Sequence, residues 1–400
     1  MSSPEAVAGE RCIGVVNAGS SSIKFGIYRG DADRTLLRRG RLEGIGVSPR
    51  LRVADADGAV LAERSWDAEA LDARAATREV LVAAAELARG EVLGGVGHRV
   101  AHGGAQFSAP IRVDPEIMAE LEKLSPLAPL HQPHNLASID AIAEAAPHLP
   151  QVACFDTAFH RTQPAVAQAY GLPPKFADAG VRRYGFHGLS YEYVAGRLRE
   201  IAPELSQRRV IVAHLGNGAS LCAMEGGRSM ATTMGFSSLD GLLMGTRCGA
   251  MDPGVLIFLM DNYRMGPREI EDLVYRQSGL LGVSGVSSDM RALRASGEPA
   301  AAAAINLFTY RVVREVGSLA AALGGLDGLV FTGGIGENDV EARAQIAAGC
   351  AWLGLDLDAG RNAAGAGRIS GDGSPVEAWV VPTDEEAMIA RHTAAVLGLD

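Results

Sequence analysis

The feature that most constrains this chain is a strand–loop–strand pattern that occurs twice, once in each half. Residues 14–27 read Gly-Val-Val-Asn-Ala-Gly-Ser-Ser-Ser-Ile-Lys-Phe-Gly-Ile. Val15 and Val16 suit a buried strand, Asn17 to Ser22 a polar turn, and Ile23 to Ile27 a second strand carrying Lys24. The tip offers backbone N–H groups, three hydroxyls and an amide, which suits an anion such as phosphate. It is not a Walker A loop, which needs G-x-x-x-x-G-K-[ST] leading into a helix. Taken alone, the segment reads first as an ordinary hairpin, since Ser/Gly tips are common. Residues 210–222, Val-Ile-Val-Ala-His-Leu-Gly-Asn-Gly-Ala-Ser-Leu-Cys, repeat the pattern about 200 residues later. A repeat at that scale reads as two related domains rather than a solenoid. Two anion-suited tips, one per half, predict a duplicated fold with a ligand between the halves.

Length agrees with that reading, since 400 residues suit two cores better than one. Strand-like runs at Ile13–Val16, Val96–Val100, Val152–Phe155, Val210–His214, Gly328–Thr332 and Val376–Val381 alternate with Ala-rich helical stretches. Ala68–Arg89 is one such stretch, with Leu71, Val80, Leu81 and Leu87 as its apolar residues. Ala301–Leu323 is another, with Ile305, Phe308, Val312, Val316 and Leu319 at helical spacing. The alternation predicts α/β layering, and the stripes are core packing. Pro126–Pro133 reads as a rigid extended loop, and a domain boundary is expected near 150–156.

The net charge of −10 argues against a broad nucleic-acid or anionic-membrane surface. An anionic small substrate would then need a local cluster of Arg, Lys and His. The five cysteines are scattered and form no C-x-x-C, so reduced thiols in a cytoplasmic protein are expected. No signal peptide is visible, and no apolar run reaches the roughly 20 residues of a membrane span.

Four segments supply the cationic or switchable groups. They are Gly97-His-Arg-Val-Ala-His-Gly-Gly104, His131 in the Pro-rich stretch, Tyr184-Gly-Phe-His-Gly-Leu-Ser190 and Met244-Gly-Thr-Arg-Cys-Gly249. Arg offers a planar fork to carboxylate or phosphate. Flanking glycines let a ligand approach the backbone. His98/His102 and His131/His134 have the spacing of zinc ligands but no convincing helix to carry them. An oxygen-ligated Mg²⁺ fits phosphate chemistry better, with Asp156 and Glu385 as candidates. Glu385 has a structural reading too, because Thr383 and Asp384 look like helix caps and first-turn acids favour the helix dipole. Val330-Phe-Thr-Gly-Gly-Ile-Gly-Glu-Asn338 reads as a buried strand, a Gly-rich turn and then a helix over Asp339–Ala348. It lacks the third glycine of a dinucleotide fingerprint, yet still permits close approach of a nucleotide.

Together these motifs resemble the acetate/propionate kinase family of the actin-like sugar kinase superfamily. Nine segments carry the resemblance in family order. They are Val-Asn-Ala-Gly-Ser-Ser-Ser-Ile-Lys-Phe, Gly-His-Arg-Val-Ala-His-Gly-Gly, Leu-Ala-Pro-Leu-His, Phe-Asp-Thr-Ala-Phe-His, Arg-Tyr-Gly-Phe-His-Gly, His-Leu-Gly-Asn-Gly-Ala-Ser, Met-Gly-Thr-Arg-Cys-Gly, Gly-Gly-Ile-Gly-Glu-Asn and Pro-Thr-Asp-Glu-Glu. The resemblance implies an α/β, duplicated, actin-like (ribonuclease H-like) two-domain fold with the active site in the interdomain cleft. Residues 1–155 would form the first domain, with the C-terminal helix 385–400 packing back on it, and 156–384 the nucleotide-binding domain. The implied reaction is ATP + acetate ⇌ ADP + acetyl phosphate with Mg²⁺, or Mn²⁺ in its place, in a homodimer.

Carried over by motif, Asn17 and Glu385 are expected at the metal, and Lys24 with Ser20–Ser22 at the phosphates. Arg99 would bind the substrate carboxylate, His187 and Arg247 the transferring phosphoryl, and Asp156 would be the essential acid. His131 matches an active-site histidine. His214, Leu215, Gly216, Asn217 and Gly218 are expected at ATP. So are Asp289, Met290 and Arg291, and Gly334, Ile335, Gly336, Glu337 and Asn338. A carboxylate nucleophile is already ionised at neutral pH, with a pKa of roughly 4–5, so no general base is needed. Asp156 is therefore expected to position Mg²⁺ or its waters.

The chain departs from the acetate pattern at Ala101, where Val is usual in the acyl pocket, and at Ser238, where Pro is common. Leu130 and Phe186 keep the other walls. A pocket widened by about one methylene discriminates by only about 1–3 kcal/mol, so propionate is expected as a substrate. A non-catalytic actin-like module would have lost Arg99, His187 and Arg247, and a butyrate-type kinase would need a more open pocket.

Overall fold

The computed structural model describes residues 11–19, 22–31, 34–67, 71–87, 91–129 and 131–399. Ser20, Ser21, Leu130 and the ends of the helix expected over Ala68–Arg89 lie outside these residues. The chain divides into two compact units. One comprises the chain through Ala158 plus the segment from Asp384 onward, and the other Phe159–Thr383.

The first unit is built on a sheet of β1 (Arg11–Ala18), β2 (Ser22–Arg29), β3 (Leu36–Glu43), β4 (Arg50–Asp55), β5 (Val60–Ser65), β6 (Val92–Val100), β7 (Ile111–Arg112) and β8 (Gln151–Phe155). Their spatial order is β5-β4-β3-β2-β1-β6-β8-β7. The first five strands form an antiparallel meander, while β6 and β8 run parallel to β1. Val16, Ile23, Phe25, Leu42 and Val53 pack from the sheet against Ala76, Val80 and Ala83 of the helix Ala73–Leu87.

Strand β6 carries Gly94, Gly95 and Gly97, although glycine weakens a strand interior. The helix Glu385–Leu397 explains them. A Cβ on Gly97 would overlap Thr393 Oγ1 and stand 2.6 Å from Ile389 Cγ2, and one on Gly95 would overlap Leu397 Cδ1. The bare strand is the seat of this helix. Asp384 caps the helix by accepting from the Ala387 N–H at 2.8 Å, and Glu385 and Glu386 fill its first turn.

The second unit has β9 (Arg209–Leu215), β10 (Ala219–Glu225), β11 (Arg228–Thr232), β12 (Gly328–Thr332), β13 (Gly367–Arg368) and β14 (Glu377–Val380), in the order β11-β10-β9-β12-β14-β13. This is the arrangement β3-β2-β1-β6-β8-β7 again, with the same directions throughout. The internal echo in the sequence is thus a duplicated topology, to which the first unit adds β4 and β5. Ile305, Phe308, Val312, Val316 and Leu319 of the helix Pro299–Leu323 are buried against the second sheet.

Two local expectations are corrected. Pro126–Pro133 is not extended throughout, because Ser125–Leu127 forms a 3₁₀ turn and Pro133 lies in the first turn of the helix Gln132–Ala145. Proline is tolerated there, since first-turn N–H groups have no partner within the helix. The Gly-rich turn after β12 is itself a short helix, Gly333–Asn338. Gly333 (φ +77°) makes the corner that a side chain would strain, and the Glu337 carboxylate accepts from its N–H at 2.9 Å.

Candidate active site

Duplication places corresponding pairs at the two hairpin tips. Asn17 lies opposite Lys24 one step back from the first tip, and His214 opposite Ser220 one step back from the second. Directly opposed residues share a face of the sheet, so each pair presents its side chains together.

In the first unit, Arg99 comes from the end of β6 and Asp156 follows the end of β8, where α/β sheets collect ligand-facing groups. Arg99 Nε donates to Asp156 Oδ1 at 3.0 Å and Oδ2 at 3.1 Å, and its Nη2 to Oδ2 at 2.5 Å. Its Nη1 reaches Asn17 Oδ1 at 3.3 Å, and Asn17 Nδ2 donates to Glu386 Oε1 at 3.4 Å. Asp156 is buried and Arg99 half-buried. Burial works against the charge on Arg99, but Asp156 and Glu385 outweigh it and hold its pKa above the usual value. Glu385 is pushed up to about 7, by loss of solvent first and then by Asp156 and Glu386, against the pull of Arg99 and Lys24.

Among the described residues, no three His, Cys, Asp or Glu side chains gather into a metal cage. Mg²⁺ in phosphate sites uses only one or two carboxylates and takes its other ligands from water and phosphate. The hard oxygen donors Asn17, Asp156 and Glu385 fit that demand, and a dication would relieve the crowding around Glu385.

Ala101 is buried just past β6, its N–H donating to Asn135 Oδ1 at 2.9 Å. His131 is the N-cap of the helix Gln132–Ala145, and its N–H bonds the Ala128 carbonyl at 3.0 Å. His98 is buried against Gln151 (Nε2–Oε1 2.8 Å), and His102 Nδ1 accepts from the Gly104 N–H at 2.8 Å. Both contacts are structural, which weakens the zinc reading for that pair, while His131 and His134 sit at the N-cap and in the first turn of one helix, where no helix was expected to carry them.

In the second unit, His187 opens the helix Gly188–Ile201 with a left-handed backbone (φ +59°). The Phe186 carbonyl before it accepts from buried His160 at 2.9 Å. His187 stacks on His214, with ring centroids 4.3 Å apart. Its Nδ1 is 2.9 Å from Ser220 Oγ, and His214 Nδ1 is 2.8 Å from Ser190 Oγ. A Cβ on Gly218 would lie 3.3 Å from His187 Nε2 and 3.8 Å from Arg247 Nη2, so both donors converge on the glycine of the second tip. Arg247 Nη1 donates to the Ser238 carbonyl at 2.8 Å, so Ser238 acts here through its backbone. Phe186 is buried in the core of this unit.

The loop of β9 and β10 abuts the short Gly-rich helix. A Cβ on Gly333 would meet the Leu215 carbonyl oxygen at 2.8 Å, and one on Gly216 would stand 3.9 Å from the Gly334 nitrogen. Asn217 packs over Gly245. Gly334 is exposed, Ile335 half-buried and Gly336 buried. Glu337 Oε1 also accepts from the Thr383 N–H at 3.2 Å, and Asn338 Nδ2 returns to the Gly334 carbonyl at 2.9 Å. Asp289 caps the helix Met290–Ala295 and pairs with exposed Arg291, while Met290 is in the core. Arg294 of that helix bonds Asp339 at 2.8 Å, which ties this segment to the Gly-rich helix.

The motif framework around these groups agrees with known proteins. The Acetokinase family model matches residues 12–391. The chain belongs to the acetokinase family. It is 54% identical over 390 residues to an acetate kinase of Rhodopseudomonas palustris, covering 94% of this chain and 96% of that one. The structure superposes on Porphyromonas gingivalis acetate kinase with a TM-score of 0.86 and 38% identity, covering 97% and 100% of the two chains. It superposes on a propionate kinase from Francisella tularensis with a TM-score of 0.88 and 35% identity, covering 96% and 100%. As an acetokinase, the chain has a mixed α/β actin-like fold and is a phosphotransferase.

Sequence reasoning passed over four side chains that this acetokinase brings into the two clusters: Tyr191, Ser190, Ser220 and Glu386. Tyr191 follows His187 by four residues on a helix, and that spacing alone places the two on one face.

Proposed function

We propose that this chain transfers the γ-phosphoryl of ATP to the carboxylate of acetate, reversibly, and accepts propionate as well. The observation that carries this reading is the convergence of His187 Nε2 and Arg247 Nη2 on Gly218. Two such donors neutralise charge on a transferring phosphoryl group, which is most of what this chemistry asks of a protein. Arg99, locked by Asp156, presents a pre-oriented cation to the acyl carboxylate. The nucleophile is ionised at neutral pH, so Asp156 orients Arg99 and borders the metal position rather than accepting a proton.

Asn17 and Glu385, with Asp156 beside them, would hold Mg²⁺, with Mn²⁺ able to replace it. When bound, the ion neutralises phosphate charge. Lys24 at the first tip faces the phosphates. The loop 214–218 and the segments 289–291 and 334–338 hold the nucleotide through backbone approach, with Glu337 bracing the Gly-rich helix. Ala101 leaves room for one more methylene than acetate needs.

The chain acts as a homodimer in this reading. The helix Pro253–Tyr263 buries none of its residues, and Ile257, Phe258 and Tyr263 are each more than half exposed. A second copy would cover them, and Phe258→Glu should then elute as a monomer on size exclusion. No helix among the described residues is long and apolar enough to cross a membrane.

The function is tested by a hydroxamate assay for acyl phosphate with C2, C3 and C4 acids, ATP or GTP, and a Mg²⁺ titration. Acyl phosphate from acetate and propionate is expected. No product with any acid, from folded protein with ATP and Mg²⁺, would overturn the reading.

A further inference from the structure

Two buried hydroxyls, those of Ser220 and Tyr191, stand behind His187. Tyr191 and Ser220 are both fully buried. The Tyr191 hydroxyl is 2.5 Å from Ser220 Oγ, and Ser220 Oγ is 2.9 Å from His187 Nδ1. Ser220 comes from β10, and Tyr191 and His187 from one helix start, so two elements must meet to build the line. We propose that Tyr191 and Ser220 are positioning residues that keep His187 in its Nε2–H tautomer, so that the ring meets a phosphoryl group as a neutral hydrogen-bond donor. The catalytic consequence rests on the reading of His187 given above.

The proton assignment follows from counting donors. A phenol and a serine hydroxyl each carry one proton, and a neutral imidazole carries one on either nitrogen. If Tyr191 donates to Ser220 and Ser220 donates to His187 Nδ1, both contacts are hydrogen bonds and neither buried hydroxyl proton is wasted. If His187 donated from Nδ1, Ser220 would have to turn its proton to Tyr191. The phenolic proton would then lose its acceptor, since Ser220 Oγ is the hydrogen-bond partner of the Tyr191 hydroxyl. If Tyr191 and His187 both donated to Ser220, the serine proton would be stranded instead. A buried donor left without a partner bears its full desolvation penalty, which favours the arrangement in which both hydroxyl protons are used. Burial also raises the Tyr191 pKa well above that of a free phenol, so the relay keeps its first proton across the working pH range.

The geometry gives the tautomer a use. With Nδ1 accepting, the ring proton sits on Nε2, the atom nearest Gly218 and Arg247 Nη2. Arg247 supplies full positive charge at that tip, and the stacked His214 ring lies 4.3 Å away. A second full cation on His187 would repel Arg247. A neutral Nε2–H donates without that penalty. The assigned tautomer is the one that the hydrogen bond at the other ring nitrogen selects.

The test is ¹⁵N-histidine NMR on the full chain, with His187 assigned by the signal lost in His187→Asn. Nδ1 should show the shift of a non-protonated imidazole nitrogen and Nε2 that of a protonated one. In Tyr191→Phe the His187 signals should move toward a tautomer mixture. kcat should fall about 5- to 20-fold, with KM for ATP within about twofold and an unchanged melting profile. Ser220→Ala removes the hydrogen bond itself and should lower kcat further, and Ser220→Thr should restore most of it. A wild-type His187 protonated at Nδ1 would overturn the relay. So would a Tyr191→Phe spectrum identical to wild type at His187. Full activity in His187→Asn would instead defeat the catalytic reading on which the consequence depends, and the tautomer measurement, which needs no turnover, separates the two failures.

Discussion

At the scale of single residues, the informative comparison is between Arg99 and Arg247. Both sit among glycines in the sequence, and nothing local distinguishes them. Arg99 spends Nε and Nη2 on a buried carboxylate, whereas Arg247 is held by a backbone carbonyl. The first is therefore part of a rigid ion pair, and the second is oriented in part by a neutral carbonyl. Removing one member of a buried pair strands the other, at a cost of about 3–5 kcal/mol. Ala101 is the residue that should set acid preference. Ala101→Val is expected to lower kcat/KM for propionate about tenfold relative to acetate, within the range one methylene permits. Equal effects on both acids in the hydroxamate assay would remove Ala101 from the acyl pocket.

Among the elements, the glycines of β6 show how a sequence oddity becomes a requirement. A strand with three glycines looks weak in isolation, yet here it admits a helix at backbone distance. That helix carries Glu385 and Glu386 in its first turn. Gly97→Ala places a methyl against Thr393 and Ile389 and should cost about 1–3 kcal/mol, the usual penalty for overpacking. The melting temperature should fall, and the apparent Mg²⁺ requirement should rise because Glu385 moves with its helix. A Gly97→Ala variant as stable as wild type would mean that the helix seats elsewhere. The short helix Gly333–Asn338 teaches the converse. Read as a turn, it is a helix because Glu337 supplies a partner for the Gly333 N–H, a contact set by a side chain four residues on.

Considered as a whole molecule, the chain carries a pH dependence that belongs to the fold. His98 and His160 are both buried, and loss of solvent pushes each down to about 4 despite bonds to Gln151 and the Phe186 carbonyl. An unfolded histidine titrates near 6.5, so between about 6.5 and 4 the unfolded chain binds more protons than the folded one. Their contribution is complete above about pH 6.5 and is lost as pH falls toward 4, at about 1.4 kcal/mol per pH unit for each. Denaturant titrations at pH 7.5, 6 and 5 should show this decline, and His98→Gln should reduce its slope. A stability flat across that range would contradict neutral burial of both rings.

The duplicated topology was legible in the sequence because strands, Gly-rich tips and apolar helix stripes are local patterns. All six strands expected from their apolar runs are present, and each pairs in parallel with another of them in its own sheet. The additional antiparallel strands β3–β5 went unread, since an edge meander is half polar and leaves no continuous apolar run. Motif order likewise named Asn17, Arg99, Asp156, His187, Arg247 and Glu385 as residues to watch. Sequence alone could not say which of them touch. That Asp156 grips Arg99, that Tyr191 stands behind His187 through Ser220, and that β6 needs its glycines for a helix nearly 300 residues away all depend on long-range packing. Such contacts are set by where separate elements meet in space, and no local pattern encodes that meeting.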